Sequence, residues 1–340
     1  MLHDRRFASR EEFFGGPGSA RALGRTTRRS SLQPASARLR FGRVRLFVAN
    51  PIPMNFSQTE ADVYVPSGVA PEAALARTTH LCVAAHQDDI EIMAVSPILE
   101  CLQQQADRRF TGVVVTDGRG SPRDGLYKGI SDEEMRGVRF KEQKKAAVVG
   151  EYAAQALLDY PSKAVKDASD TRIVEDFAKL FMAAKPEYVY THNLADKHDT
   201  HVAVALKVIA AIRSLPASGR PQKLYGCEVW RDLDWMVDSD KVAFDLTAHE
   251  NLQAALLGVF DSQIAGGKRY DLASMGRRRA NATYFESHGV DLTTGMSYAM
   301  DLTPLILEPG KEIVPFIQEF IQRFSQDVIE RLNRLGTGEG

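Results

Sequence analysis

Between residues 79 and 215, short apolar runs alternate with segments of helical period, and this alternation constrains the fold most. "THLCVAA" (79–85), "TGVVVTDG" (111–118), "QALLDYP" (155–161) and "PEYVYTH" (186–192) are brief, apolar and rich in β-branched or aromatic residues. Further on, "KLYGCEVW" (223–230) and "KVAFDLT" (241–247) continue the strand pattern. Helices fit "EIMAVSPILECLQQQ" (91–105), "TRIVEDFAKLFMAAK" (171–185) and "HVAVALKVIAAIRSL" (201–215). "SDEEMRGVRFKEQKKAAVVG" (131–150) reads as a helix with a leading Ser, acids in its first turn and a terminal Gly. Strands separated by helices imply a mostly parallel sheet covered on both faces, a Rossmann-like three-layer α/β sandwich. In such sheets ligands bind at the carboxyl ends of the strands.

Two of the predicted strands end in clusters of polar residues. The first runs into "VAAHQDDIEIMA" (83–94), placing His86, Asp88, Asp89 and Glu91 within six residues. The other runs into "YVYTHNLADKHDTHVAVAL" (188–206), where His198 and His201 stand three apart at the start of a helix. Either cluster alone is ordinary, since acids and capping residues favour helix N-termini. Together, at two strand ends of one α/β pattern, they point to a shared cation. His86, Asp89 and His201 supply two nitrogens and one oxygen, and three protein ligands with an open fourth position is the pattern of a catalytic zinc site.

These stretches resemble the PIG-L (LmbE-like) family of zinc-dependent N-deacetylases. "AHQDDIE" is similar to that family's AHPDDE, and "HDTH" after "THNLAD" is similar to its histidine-rich HPDH stretch. "TDG" (116–118) and "RFKEQKKAAVVG" (139–150) match weaker patterns, so the resemblance covers about residues 78–300. It implies Zn²⁺ (or another divalent metal such as Fe²⁺) held by His86, Asp89 and His201. Asp88 would be the general base and His198, protonated, the group facing the substrate carbonyl. Glu91, Asp196 and Thr200 would support these residues. Arg139, in an RxxE pattern, and Asp117 would sit near polar substrate groups. The chain departs from the family pattern at Gln87, where Pro is usual, at Ile90, which separates the acid pair from Glu91, and at Thr200, where an acid is usual.

The implied reaction is hydrolysis of an N-acetyl group from an N-acetylglucosamine-type sugar or glycoside, giving a free amine and acetate. Zinc brings the pKa of bound water to about 7, and a positioned base adds roughly 10²–10⁴-fold. For the sugar, "EVWRDLDWM" (228–236) offers Trp230, Trp235 and Arg231, and the Gly-rich loop 118–131 offers Arg119, Arg123 and Lys128. Two other classes compete. A 2-His-1-carboxylate iron oxygenase uses similar ligands, but usually on an all-β jelly roll; a metal-stabilised sugar-binding protein would release no acetate. A dinucleotide binder is disfavoured because no GxGxxG follows the first strand.

Charge and cysteine content bound the setting. Residues 1–53 hold eleven Arg, no Lys and three acids, which leaves 32 basic against 41 acidic residues for the remainder. An acidic body disfavours nucleic acid as partner. The arm reads as a disordered or mis-assigned extension, with an organellar transit peptide as the third reading. Residues 54–77 read as a lead-in and 78–335 as one catalytic domain. Three cysteines of unpaired spacing, Cys82, Cys101 and Cys227, fit a reducing, cytoplasmic setting. No apolar run is long enough for a membrane span, and the expected partner is a small N-acetylated amino sugar or glycoconjugate. A homo-oligomer is compatible with all of this.

Overall fold

The computed structural model describes residues 54–104, 106–308 and 310–336. The expectation of a disordered or mis-assigned segment over 1–53 lies outside the described residues. The eight strands are β1 (Asp62–Tyr64), β2 (His80–Ala84), β3 (Phe110–Thr116), β4 (Ala154–Tyr160), β5 (Tyr188–His192), β6 (Lys223–Cys227), β7 (Val242–Asp245) and β8 (Met296–Asp301). They form one sheet in the order β1-β4-β3-β2-β5-β6-β8-β7. The five central strands β4, β3, β2, β5 and β6 are parallel. β1, β8 and β7 pair antiparallel at the two sides. The sheet is therefore mostly parallel, as the alternating pattern predicts.

The helices that follow β1 and β2 are α1 (Pro71–Leu75), α2 (Asp89–Met93) and α3 (Val95–Gln103). The single helix expected over 91–105 is thus two. Its break falls at Ala94 (φ −116°, ψ 24°), before Ser96-Pro97, because Pro97 has no N–H and fits only a helix's first turn. Next come α4 (Asp132–Val149), α5 (Ser162–Lys166), α6 (Arg172–Ala184) and α7 (Asp199–Ser214). α4 starts where expected: Ser131 and Glu134 form a reciprocal capping box, and Gly150 ends the helix. After β7 the chain adds α8 (Glu250–Gly258), α9 (Asp261–Ile264) and α10 (Tyr270–Thr283), and after β8, α11 (Thr303–Leu307) and α12 (Ile313–Gly336).

Alternate residues of each central strand face opposite layers. In β2, Leu81 and Val83 join one core with Phe177 of α6 and Val208 of α7. Cys82 and Ala84 join the other with Ile98 of α3 and Ala147 of α4. All five residues of β2 are buried, which is why its sequence after His80 reads as a continuous apolar run.

The order β3-β2-β5 places a topological switch point between β2 and β5. The chain leaves β2 towards β3 on one side and continues from β5 to β6 on the other, so a crevice opens at their carboxyl ends. Both polar clusters emerge there.

Candidate metal centre

β2 ends at Ala84, and residues 85–88 turn into α2. At Asp88 the turn takes φ +95°, ψ −31°, a conformation costly for a residue with a Cβ. It persists because the surroundings fix it several times over. The His86 N–H donates to Asp89 Oδ2 at 2.8 Å, and the Asp88 N–H donates to Gln143 Oε1 at 3.3 Å. Arg139 Nη2 donates to the Gln87 carbonyl and to Asp88 Oδ2, the latter at 3.1 Å. Gln87, in the place of the usual Pro, ties the turn to β3 by donating from Nε2 to the Thr116 carbonyl at 2.9 Å. Arg139 and Gln143 reach this turn together because positions i and i+4 share one face of α4.

Three donor atoms converge across the crevice. His86 Nδ1 lies 3.2 Å from Asp89 Oδ2 and 3.2 Å from His201 Nε2, and His201 Nε2 lies 3.3 Å from Asp89 Oδ2. A tetrahedral zinc with nitrogen and oxygen ligands at about 2.0–2.1 Å has donor–donor edges of about 3.3–3.4 Å. The triangle therefore fits the base of such a site without rearrangement. The far side of His201 is held by Asp196, whose Oδ2 lies 3.3 Å from Nδ1 and also accepts the Trp230 N–H at 3.1 Å. A carboxylate there fixes the ring so that Nε2 faces the other two donors.

The electrostatics follow from burial and neighbours. Burial, with the Asp89 and Glu142 charges, outweighs the opposing pull of Arg139 and leaves the Asp88 carboxyl raised to about 7. Burial would raise Asp89 too, but His201, His86 and His192 outweigh it and hold Asp89 well below the usual carboxylate range. For His201 burial favours the neutral ring, yet Asp89 and Asp196 raise it to about 9. Burial, helped by His201 and His86, pushes His198 down to about 4. That direction runs against the protonated His198 expected from the resemblance.

A cavity of about 520 Å³ opens on the triad and is lined by His86, Asp88, Asp89, Arg139, His198, Thr200 and Trp230. Tyr270, Lys268 and Gln263, from beyond β7, also line it. A smaller one of about 260 Å³ shares Asp89, Trp230 and Tyr270 and adds Lys197 and Arg277. The Trp230 ring has the Lys268 ammonium 5.1 Å from its centre and that of Lys197 at 5.9 Å. Other residues expected at the site do not line either cavity. Asp117 and Arg119 pair with each other at 2.9 Å, and Arg119 also binds Glu133. Arg231 is exposed and does not line either cavity. Trp235 packs against the core and Phe324. Glu91 lies buried behind the turn, where it accepts from Tyr152 Oη at 2.7 Å and from Gln143 Nε2 at 2.9 Å. Burial raises it to about 8.

Sequence reasoning gave His192, at the end of β5, no role. Its ring stacks on His201 with centres 3.8 Å apart, and its Nε2 lies 3.5 Å from Asp89 Oδ2. That nitrogen accepts the N–H of Ala85, just beyond β2, at 2.8 Å, so its lone pair is already engaged. Its signal, "YVYTH", is visible in sequence, but its function depends on a contact between strands.

The crevice of a parallel α/β sheet, with two histidines and an aspartate converging beside a second aspartate, defines a candidate hydrolytic metal site. Residues 81–212 match the PIG-L family model, described as GlcNAc-PI de-N-acetylase, so the likeness read from "AHQDDIE" and "HDTH" is shown over that region. Comparison with curated proteins gives no match. Among solved structures the fold is similar to GalB, the 4-carboxy-2-hydroxymuconate hydratase from Pseudomonas putida KT2440. That likeness has a TM-score of 0.52 and 16% identity over 69% of this chain and 99% of that one. It is also similar to the N,N'-diacetylchitobiose deacetylase from Pyrococcus horikoshii, with a TM-score of 0.51 and 16% identity over 65% of this chain and 83% of that one. At such identity these two likenesses concern the fold. Among the described residues no helix is long and apolar enough to cross a membrane.

Proposed function

We propose that the protein is a metal-dependent N-deacetylase acting on an N-acetylglucosamine-type sugar or glycoside. The observation that carries this reading is the 3.2–3.3 Å triangle of His86, Asp89 and His201, with the Asp88 carboxyl beside it and bonded to Arg139. The family match over 81–212 supports the reaction class, and the Pyrococcus deacetylase, whose substrate is an N-acetylated sugar, has a similar fold. A cavity of about 520 Å³ suits a sugar-sized ligand, since such sites run from about 300 to 1,000 Å³.

A divalent ion held by the three residues would supply a Lewis acid that polarises the acetyl carbonyl and acidifies a water molecule. Asp88 takes a proton from the attacking water as the new C–O bond forms. It then returns a proton to the nitrogen as the C–N bond breaks, so amine and acetate leave. Burial raises the Asp88 carboxyl above the ordinary carboxylate range, the direction that favours its returning the proton. His198 donates a hydrogen bond to the carbonyl oxygen as it gains negative charge; removing one such donor costs about 3 kcal/mol of transition-state stabilisation. Asp196 orients His201, and Trp230, Tyr270 and Lys268 wall the substrate.

Acetate release from a panel of N-acetylglucosaminides, by protein stripped of metal and reloaded, tests the proposal. Asp89→Ala and His201→Ala should lose metal and turnover together, whereas Asp88→Asn should keep metal and lose turnover. Full activity of the stripped protein, or equal metal content and turnover in all three variants, would refute it. Dependence on oxygen and 2-oxoglutarate would favour the oxygenase reading instead, and sugar binding without acetate release the binding module.

A further inference from the structure

The last helix, α12, is 24 residues long, roughly 36 Å at 1.5 Å per residue. Its first half is anchored: Phe316 and Phe320 are buried, Ile313 and Ile317 pack on the core, and the Phe324 ring lies 6.2 Å from Trp235. From Val328 to Gly336 every residue is exposed. That segment is nevertheless apolar along one side. Val314, Ile321, Val328 and Leu335 recur at seven-residue intervals, with Ile317 and Phe324 three residues after the first two and Leu332 alongside. Val314, Ile321 and Leu335 are 67%, 49% and 73% exposed.

An unsupercoiled α-helix drifts about 20° per heptad against a strict seven-residue repeat. Such a repeat therefore stays aligned only when the helix winds against another helix. No described helix covers the distal half of this face, as its exposure shows. At 100° per residue, Glu319, Arg323, Glu330 and Arg334 fall on the opposite side of α12. Gln318, Gln322 and Ser325 flank the apolar line, and on its other side Arg331 is paired with Asp327 at 3.1 Å.

The geometry points to a second copy of this chain as the occupant: α12 is the contact of a homodimer, packed against α12 of the other protomer about a two-fold axis. A symmetric pair needs one self-complementary face, and this face is apolar with uncharged or internally paired flanks, so two copies meet without like charges opposed. Other occupants fit less well. From Ile313 to Gly336 the helix has three acids and three arginines, whereas helices lying on membranes carry an excess of Lys and Arg on the polar face. The Arg-rich residues 1–53 would find no net negative charge on it. A projecting half-helix of this length is marginal alone, and pairing supplies the missing apolar contact.

Sedimentation and light scattering on the full chain at about 10–50 µM test this. The expected mass is twice that of the chain. Val328→Glu combined with Leu332→Glu should raise the dimer dissociation constant at least ~100-fold, while metal content stays unchanged because both positions are exposed and far along the helix from the core. Gln326→Lys, on the opposite face, should leave the dimer intact. A monomeric wild type overturns the inference, as does a dimer that survives the double substitution. A monomer that binds anionic phospholipid vesicles through α12 would overturn it in favour of a membrane.

Discussion

Replacing Arg139 by Met separates two roles for this residue. The resemblance places Arg139 near a polar substrate group, whereas the structure sets its guanidinium against Asp88 Oδ2 at 3.1 Å and Glu142 Oε2 at 3.3 Å. The side chain is only 1% exposed, so its loss leaves two buried carboxylates without their cation. Breaking a buried pair in this way costs about 3–5 kcal/mol. At about 2–4 °C per kcal/mol for a large domain, the melting temperature should fall by on the order of 10 °C. The catalytic consequence has a definite sign. Asp88 sits near 7 because burial raises it and Arg139 opposes that rise, so without Arg139 it moves further up. The base works as a carboxylate, and activity is lost as pH falls through its pKa; the acid limb must therefore shift to higher pH. A bound cation lowers Asp88 in both proteins, so the difference between them persists. On the acid limb, at a temperature where the variant is folded, kcat should be lower by ~10-fold for each pH unit by which the limb moves, and the gap should close at higher pH, where Asp88 is ionised in both proteins. KM should change little, and Arg139→Lys should recover part of the profile. An unmoved pH profile with a raised KM would refute the reasoning and return Arg139 to substrate binding.

Asp196→Asn should weaken metal affinity about 10–100-fold, because the aspartate orients His201; competition with a chromophoric chelator measures it, and an unchanged affinity would sink the assignment. His192→Phe keeps a ring over His201 but leaves the buried Ala85 N–H without its acceptor, a loss of about 1–3 kcal/mol. Thermal unfolding should show that cost with metal stoichiometry intact; loss of one metal per chain would make His192 a ligand. Gly118→Ala tests the mouth of the site, since Gly118 has φ +73° and an added Cβ would lie 2.6 Å from Gln87 Oε1 and 3.0 Å from Arg139 Cβ. A lower melting temperature and reduced kcat are expected, and wild-type values for both would show that the turn is not held as described.

The central sheet was legible because its strands are covered on both faces. β2 and β3 are buried along their whole length and read as unbroken runs of apolar and small residues. β1 was not legible: three residues, "DVY", pair antiparallel with β4 at the sheet edge and carry no period of their own. β8, "MSYAMD", joins the sheet through long-range pairing with β6 and β7. α10 hides behind "GRRRA", where Arg278 is buried to reach the Glu91 and Ile92 carbonyls and so breaks the apolar pattern. The single helix expected over 91–105 overlooked Pro97, a local signal that was present.

The site divides along the same line. His86, Asp88, Asp89, His198 and His201 were legible because each stands within a few residues of a strand end, and strand ends are where a parallel sheet places its ligands. Their supports were not, because Arg139, Gln143 and His192 act across 51, 55 and 107 residues of chain. Asp196 shows the difference most clearly. Its place among the supporting residues is legible, but which ring it serves is not: one oxygen accepts the His198 N–H and the other is turned to His201. The fold alone does not choose the reaction, since a hydratase and a deacetylase share it at similar TM-scores. The proposal of amide hydrolysis leans instead on the family match over 81–212, and the strained turn at Asp88 suits it by holding one carboxyl off the triangle while its neighbour Asp89, one residue on, joins it. Hydrolysis of an amide needs such an unliganded base within reach of the polarised carbonyl.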